Sequence, residues 1–167
     1  MKLFKNLKKQ KGHASRQAGF TLIELLVVIG ILAVLLAITL IAINPARQFS
    51  QANNTKRRSD VNALLNAVNQ SMADNKGAIP AGITGTAKNI SKAGADICLA
   101  LVPTYIAALP TDPTTGVGTL SGAGAAVTDC AQATYDTGYT IVQDATTKRL
   151  TVTAIGAELQ DSISVTR

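Results

Sequence analysis

The side chain most in need of a chemical explanation is Glu24, a carboxylate near the start of an apolar run that continues to Ile43. A charge at the middle of a bilayer costs about 2.5–3.5 kcal/mol on insertion scales. Near one end of the run, Glu24 reaches the polar interface and escapes most of that cost. Packed among similar helices it does not, and it then needs a cation. A cut between Gly19 and Phe20 would supply one. The freed α-amino group of Phe20 is positive near neutral pH and lies one helical turn before Glu24. The two can pair within one chain, or between chains stacked with an offset. An unpaired charge in an apolar bundle is heavily penalised, so such a pair favours one register.

Other chemistries find little support. The single histidine, His13, lies in the basic segment Met1–Gly19, which reads as a processing segment; without it the chain holds no histidine. That excludes Ser-His-Asp and Cys-His catalysis from the remaining chain, and the protein is read as a non-enzyme that needs no cofactor. Cys98 and Cys130, separated and without histidine, make a poor zinc site. If the apolar run faces outward, both cysteines lie in an oxidising compartment and one disulfide between them is expected, two buried free thiols being the other reading. Closing that loop would stabilise the fold by roughly 3–4 kcal/mol. Asp112 and Asp129 are too scattered to read as a calcium site and are taken as solvated loop acids. Gly116, Gly118, Gly122 and Gly124 miss the spacing of a dinucleotide-binding turn and read as loop.

The net charge of +6 is set by the first nineteen residues. Lys2, Lys5, Lys8, Lys9, Lys11 and Arg16 lie there without an acid, and the rest of the chain carries ten basic and ten acidic side chains. The basicity is therefore no argument for a nucleic-acid partner. A short basic tail ahead of a hydrophobic run reads instead as a cytoplasmic retention signal. Lys56-Arg57-Arg58 is read as a solvated helix face or a contact between subunits rather than a DNA site.

Four segments position these residues. Residues 1–19 form the basic leader. Residues 20–43 form a helix with no aqueous face; from Leu25 to Ile43 nothing is charged, a length that spans a bilayer. Asn44-Pro45 predicts a kink or local unwinding. Residues 44–76 then form an amphipathic helix with Val61, Leu64, Leu65, Val68 and Met72 on one stripe and a stop at Asn75-Lys76-Gly77. Residues 20–74 are expected to form one nearly continuous helix of roughly 80 Å. The remainder, residues 77–167, is a head. Residues 77–96 read as loop, Ile97–Val102 and Tyr105–Leu109 as short apolar turns, and Leu109–Pro113 as a turn signal. Gly138–Gln143 and Leu150–Ala154 alternate around Asp144–Lys148 as an antiparallel hairpin, and Ser162–Thr166 adds a short edge strand. Strands that follow the helix without alternating with it predict an α+β head with an antiparallel sheet.

The stretch Gly19-Phe20-Thr21-Leu22-Ile23-Glu24, with basic residues before it and about twenty apolar residues after it, resembles the class III leader of type IV prepilins and type II secretion pseudopilins. The resemblance implies that a membrane prepilin peptidase cleaves after Gly19 and methylates Phe20. It implies that Glu24 helps an incoming subunit dock, and that the chain polymerises with itself or with related subunits. An assembly ATPase and a membrane platform protein are implied as further partners. The predicted long helix on a small C-terminal antiparallel sheet looks like the pilin fold, and Leu109–Pro113 resembles the LP-x-DP stretch of many of its members. One departure is visible: many members place a helix-loosening proline where this chain has Ile41, and Pro45 follows four residues later. The expected life history is a precursor held once through the cytoplasmic membrane with its head outside, then a cell-surface filament. A type II secretion pseudopilin or a competence pilin fits the same leader. A monomeric, membrane-anchored binding module outside the cytoplasm is the alternative of a different class.

Overall fold

The computed structural model describes residues 19–118, 124–132 and 134–167. The leader other than Gly19 lies outside them, as does Gly122. Two compact units divide the chain at Ile43/Asn44.

The first unit contributes one described element, α1 (Leu22–Ile43), in which no residue is buried. Leucine, isoleucine and valine occupy every side of it, so there is no stripe to fold against a partner within the chain. Its length and composition suffice to cross a membrane.

In the second unit α2 (Pro45–Asp74) begins immediately after a break at Asn44. Instead of one continuous helix, the chain forms two. Asn44 adopts a left-handed backbone (φ 46°) and its side-chain oxygen accepts from the Arg47 amide, so it serves as the N-cap. Pro45 takes the first helical position, where its missing N–H is no loss. The proline that reads as a helix breaker is thus a helix starter. At the other end Asn75 caps the helix, Lys76 is left-handed (φ 55°), and the Gly77 amide donates to the Met72 carbonyl at 2.7 Å. This closes the helix in a Schellman arrangement.

Four strands form one antiparallel sheet in the order β1 (Lys88–Ser91), β2 (Asp136–Gln143), β3 (Leu150–Ala154) and β4 (Ile163–Thr166). The β2–β3 hairpin pairs Tyr139 with Ala154 and Gln143 with Leu150. Its turn is held by the Asp144 carboxylate, which accepts from the Thr146 and Thr147 amides at 2.9 and 2.7 Å. Strand β1 falls within the stretch read from sequence as loop. It is four residues long, bulged between Asn89 and Ser91, and buries Ile90. A short turn of helix, α3 (Cys98–Leu101), follows it.

The core lies between α2 and the sheet. Val61, Leu64, Leu65 and Val68 are fully buried, as are Tyr139 and Val152, with Ile141 and Leu150 nearly so. Strand β3 alternates buried and half-buried residues, as a sheet with one covered face requires. The result is an α+β architecture consistent with a pilin-like fold: a long apolar N-terminal helix followed by a small four-stranded antiparallel sheet.

Candidate functional site

Gly19, Phe20 and Thr21 are exposed and precede the first helical residue. Thr21 and Glu24 explain why the helix starts where it does. The Glu24 amide donates to Thr21 Oγ1 at 3.3 Å, while Glu24 Oε2 accepts from the Thr21 amide at 2.8 Å and from Thr21 Oγ1 at 2.7 Å. This is a capping box, in which orphan donors of the first turn are satisfied reciprocally. The signal that carries it is the T-x-x-E spacing at 21–24 ahead of an apolar run. Chemically, the box turns the carboxylate back over the start of the helix, toward the Thr21 nitrogen and hence toward the Gly19–Phe20 junction. Glu24 therefore has a local partner, Thr21, within the chain.

The second polar centre is in the head and overturns two sequence expectations. Arg57, expected on a solvated face, is fully buried. The helical spacing explains it: position 57 is one turn before Val61 and lies on the apolar stripe. Arg57 Nε and Nη2 grip the Asp112 carboxylate bidentately at 2.6 and 3.0 Å. Nη1 donates to Asn54 Oδ1 at 3.0 Å and Glu158 Oε1 at 3.1 Å, and Nη2 donates to Thr114 Oγ1 at 2.8 Å. Every one of the five guanidinium N–H groups has an acceptor. Asp112, expected as a solvated loop acid, is likewise fully buried. Its Oδ1 also accepts from the Thr114 and Thr115 amides at 2.9 and 3.0 Å, which shapes the turn after Pro113.

The electrostatics follow from these contacts. Burial pushes the Asp112 carboxyl up, but the Arg57 guanidinium and the Thr114 and Thr115 donors outweigh it and hold Asp112 well below the usual carboxylate range. Hydrogen bonds from Ser50, Asn53 and Arg57 lower Glu158. Asp112 first, and Glu158 after it, raise Arg57 further against the opposing effect of burial. Burial and the bond it donates to Asp60 push the Tyr139 phenol up.

The neighbours of Arg57 are also engaged. Lys56 Nζ donates to the Thr111 carbonyl at 2.7 Å and lies 3.5 Å from Asp60, and Arg58 pairs with Asp161. The basic run is thus matched by Asp60, Asp112, Glu158 and Asp161 within the second unit. For calcium, Asp112 is committed to Arg57, and Asp129 Oδ1 accepts from the Ala131 amide at 2.9 Å. Among the described residues no group of three or more histidine, cysteine or acidic side chains converges to hold a metal.

Cys98 and Cys130 are joined by a disulfide, with Cα atoms 5.4 Å apart. It closes a loop that contains Leu109–Pro113, and Leu109 pairs across that loop with Val127 through two backbone hydrogen bonds of 3.0 and 2.9 Å. The structure therefore gathers the head's special residues around Arg57 and the disulfide, while Gly19, Phe20 and Glu24 belong to the other unit.

No curated protein and no solved structure matches the chain. One family model does, described as the prokaryotic N-terminal methylation motif, and it covers residues 14–40. Those residues begin ahead of Gly19, take in Phe20 and the Thr21–Glu24 box, and end inside α1. The chain carries at its N-terminus the methylation motif that forms the class III leader of type IV pilins and pseudopilins.

Proposed function

We propose that the chain is the precursor of a filament subunit, cut by a prepilin peptidase between Gly19 and Phe20, methylated on Phe20, and polymerised through residues 20–43. The observation that carries this reading is the methylation motif placed directly on a 22-residue helix with no buried side chain. A helix apolar on all sides needs an apolar environment on all sides, first lipid and then the same helix from other copies. Processing removes the six leader cations and creates the amine that Glu24 can pair with. The head remains outside the membrane, where its disulfide is stable. The peptidase, an assembly ATPase and a platform protein act on the subunit from outside this chain, whose role is structural.

Mass spectrometry of the mature N-terminus tests this. The expected product begins at Phe20 and carries one added methyl group. An intact Met1, or a cut near residue 46, overturns the filament reading. The Thr21–Glu24 box also favours a second reading, because it gives Glu24 a purpose in a plain membrane anchor that never assembles. Cells making the processed chain should shed filaments on shearing. A processed chain that stays monomeric in the membrane supports the anchor instead.

A further inference from the structure

Arg57 occupies a place where an aliphatic side chain would serve an ordinary core. It shares the stripe of Val61, Leu64, Leu65 and Val68 and is among the largest fully buried side chains in the head. Desolvating a guanidinium and a carboxylate cancels most of their attraction, and buried ion pairs can often be replaced by apolar groups without loss of stability. Stability is therefore a poor reason for a cation at this position. The reason lies in what surrounds it.

Two chain segments meet α2 at Arg57, and of their side chains only the small Ala157 packs against the hydrophobic core. The first is Asp112-Pro113-Thr114-Thr115-Gly116. The second is Gly156-Ala157-Glu158, followed by Leu159 and Gln160, both left-handed (φ 60° and 57°). The large apolar side chains beside these segments point outward: Val117 is 51% exposed, Ile155 61% and Leu159 50%. Hydrophobic packing fixes such segments poorly, because it is non-directional and finds little here to bury beyond Ala157. Hydrogen bonds fix them. The ends of the first are tied to β2, by the Asp112 amide donating to the Thr137 carbonyl at 2.8 Å and by the Val117–Asp136 backbone pair, and Arg57 seats the turn between them on α2 through Asp112 and Thr114. It holds the second through Glu158, whose main chain Asn54 also clamps, accepting from its amide at 3.0 Å and donating to its carbonyl at 2.8 Å. The space around Asp112 is closed by glycines of three segments. An added Cβ would come within 2.6 Å of the Asp112 amide at Gly116, 2.7 Å of Asp112 Cβ at Gly138, and 2.9 Å of Asp112 Oδ2 at Gly156.

We infer that Arg57 is a positioning residue: its bidentate hold on Asp112, with the bond to Glu158, selects one seating of the 112–117 and 155–161 segments on α2, and the pair serves uniqueness of structure more than stability. A planar fork satisfies five acceptors in one geometry only, which a methylene chain of equal volume cannot do. This inference does not depend on whether the chain forms filaments.

The test compares Arg57→Met, Asp112→Asn and the double variant Arg57→Met/Asp112→Asn in the full chain in detergent, by thermal melting and by hydrogen exchange resolved to segments. Arg57→Met leaves a buried carboxylate without its cation and should lower the melting midpoint strongly. The double variant removes both charges, and the amide at 112 still accepts from the Thr114 and Thr115 N–H groups, so most of the midpoint should return. Amides of 114–116 and 156–161 should nonetheless exchange on the order of tenfold faster than in the wild type, while β2, β3 and the Asp112 and Val117 amides bonded to β2 remain protected. Arg57→Lys keeps the charge but loses the fork, and should accelerate exchange in the same two segments. Wild-type protection of both segments in the double variant or in Arg57→Lys overturns the inference. So does a double variant that fails to fold, because the pair would then be required for stability itself.

Discussion

Opening the Cys98–Cys130 disulfide is the perturbation whose size follows most directly from the structure. The bond joins positions 32 residues apart. In the chain-entropy model, closing a loop of that length removes about 12 cal/mol/K from the unfolded chain, or about 3.7 kcal/mol at 25 °C. Set against an unfolding entropy of about 2.1 cal/mol/K per residue, the unit Asn44–Arg167 should melt roughly 10–15 °C lower once reduced. The folded head should survive reduction at room temperature, because Leu109 and Val127 still pair and Asp112 still anchors the middle of the opened loop to Arg57. All three tyrosines lie in the head, and Tyr135 and Tyr139 are buried, so near-ultraviolet circular dichroism of the full chain in detergent follows the head without interference from α1. Reductant and Cys98→Ala/Cys130→Ala should give similar midpoints. A midpoint within about 2 °C of the oxidised protein, with both thiols alkylated and counted by mass spectrometry, would refute the reasoning and show that the unfolded chain is restrained by something other than this bond.

Acid should weaken the head over a defined window. Asp112 and Glu158 are both lowered in the folded state, so their stabilisation is complete above the ordinary carboxylate range and is lost as pH falls from about 4 toward their folded values. The melting midpoint should be flat from about pH 7 to 5 and decline below about 4; a flat profile down to about pH 2 contradicts the ionic account. Gly138→Ala places a Cβ 2.7 Å from Asp112 Cβ in a left-handed backbone (φ 76°) and should cost about 2–3 kcal/mol in chemical denaturation. Gly85→Ala, whose nearest neighbour is 3.8 Å away, should cost under about 1 kcal/mol and serves as the control. Glu24→Ala should still be cleaved but polymerise poorly, as judged by sheared filament yield. Glu24→Gln retains the capping box without the charge, so normal filament yield from Gln would sink the charge-pair account and leave the cap as the residue's role.

The parts of the fold legible in the sequence were those whose signal is local and periodic. The unbroken apolar run gave α1, the three-and-four spacing of Val61, Leu64, Leu65 and Val68 gave the inner face of α2, and alternation about a polar turn gave β2 and β3. Strand β1 escaped because four residues with a bulge carry too little alternation to stand out from their Gly- and Thr-rich surroundings. Pro45 was legible as an interruption, but its role depended on the residue before it: a left-handed Asn44 makes the proline the first residue of a new helix. The Arg57 centre was the least legible. Spacing placed position 57 on the buried stripe while its charge argued for water, and the residue that settles the conflict, Asp112, is 55 positions away. At the N-terminus, the capping box is carried by a motif only four residues long, Thr21–Glu24.

The absence of any buried side chain on α1 has a consequence for energy flow. Lipid tails and leucine side chains are equally apolar, so exchanging one for the other around such a helix is close to neutral in solvation. Passage through water would not be, since a helix of 22 residues would wet its whole surface at once. On the proposed filament reading the helix passes directly from bilayer to bundle, with no aqueous intermediate. The direction of that traffic cannot come from the helix. On that proposed reading it has to be supplied from outside this chain.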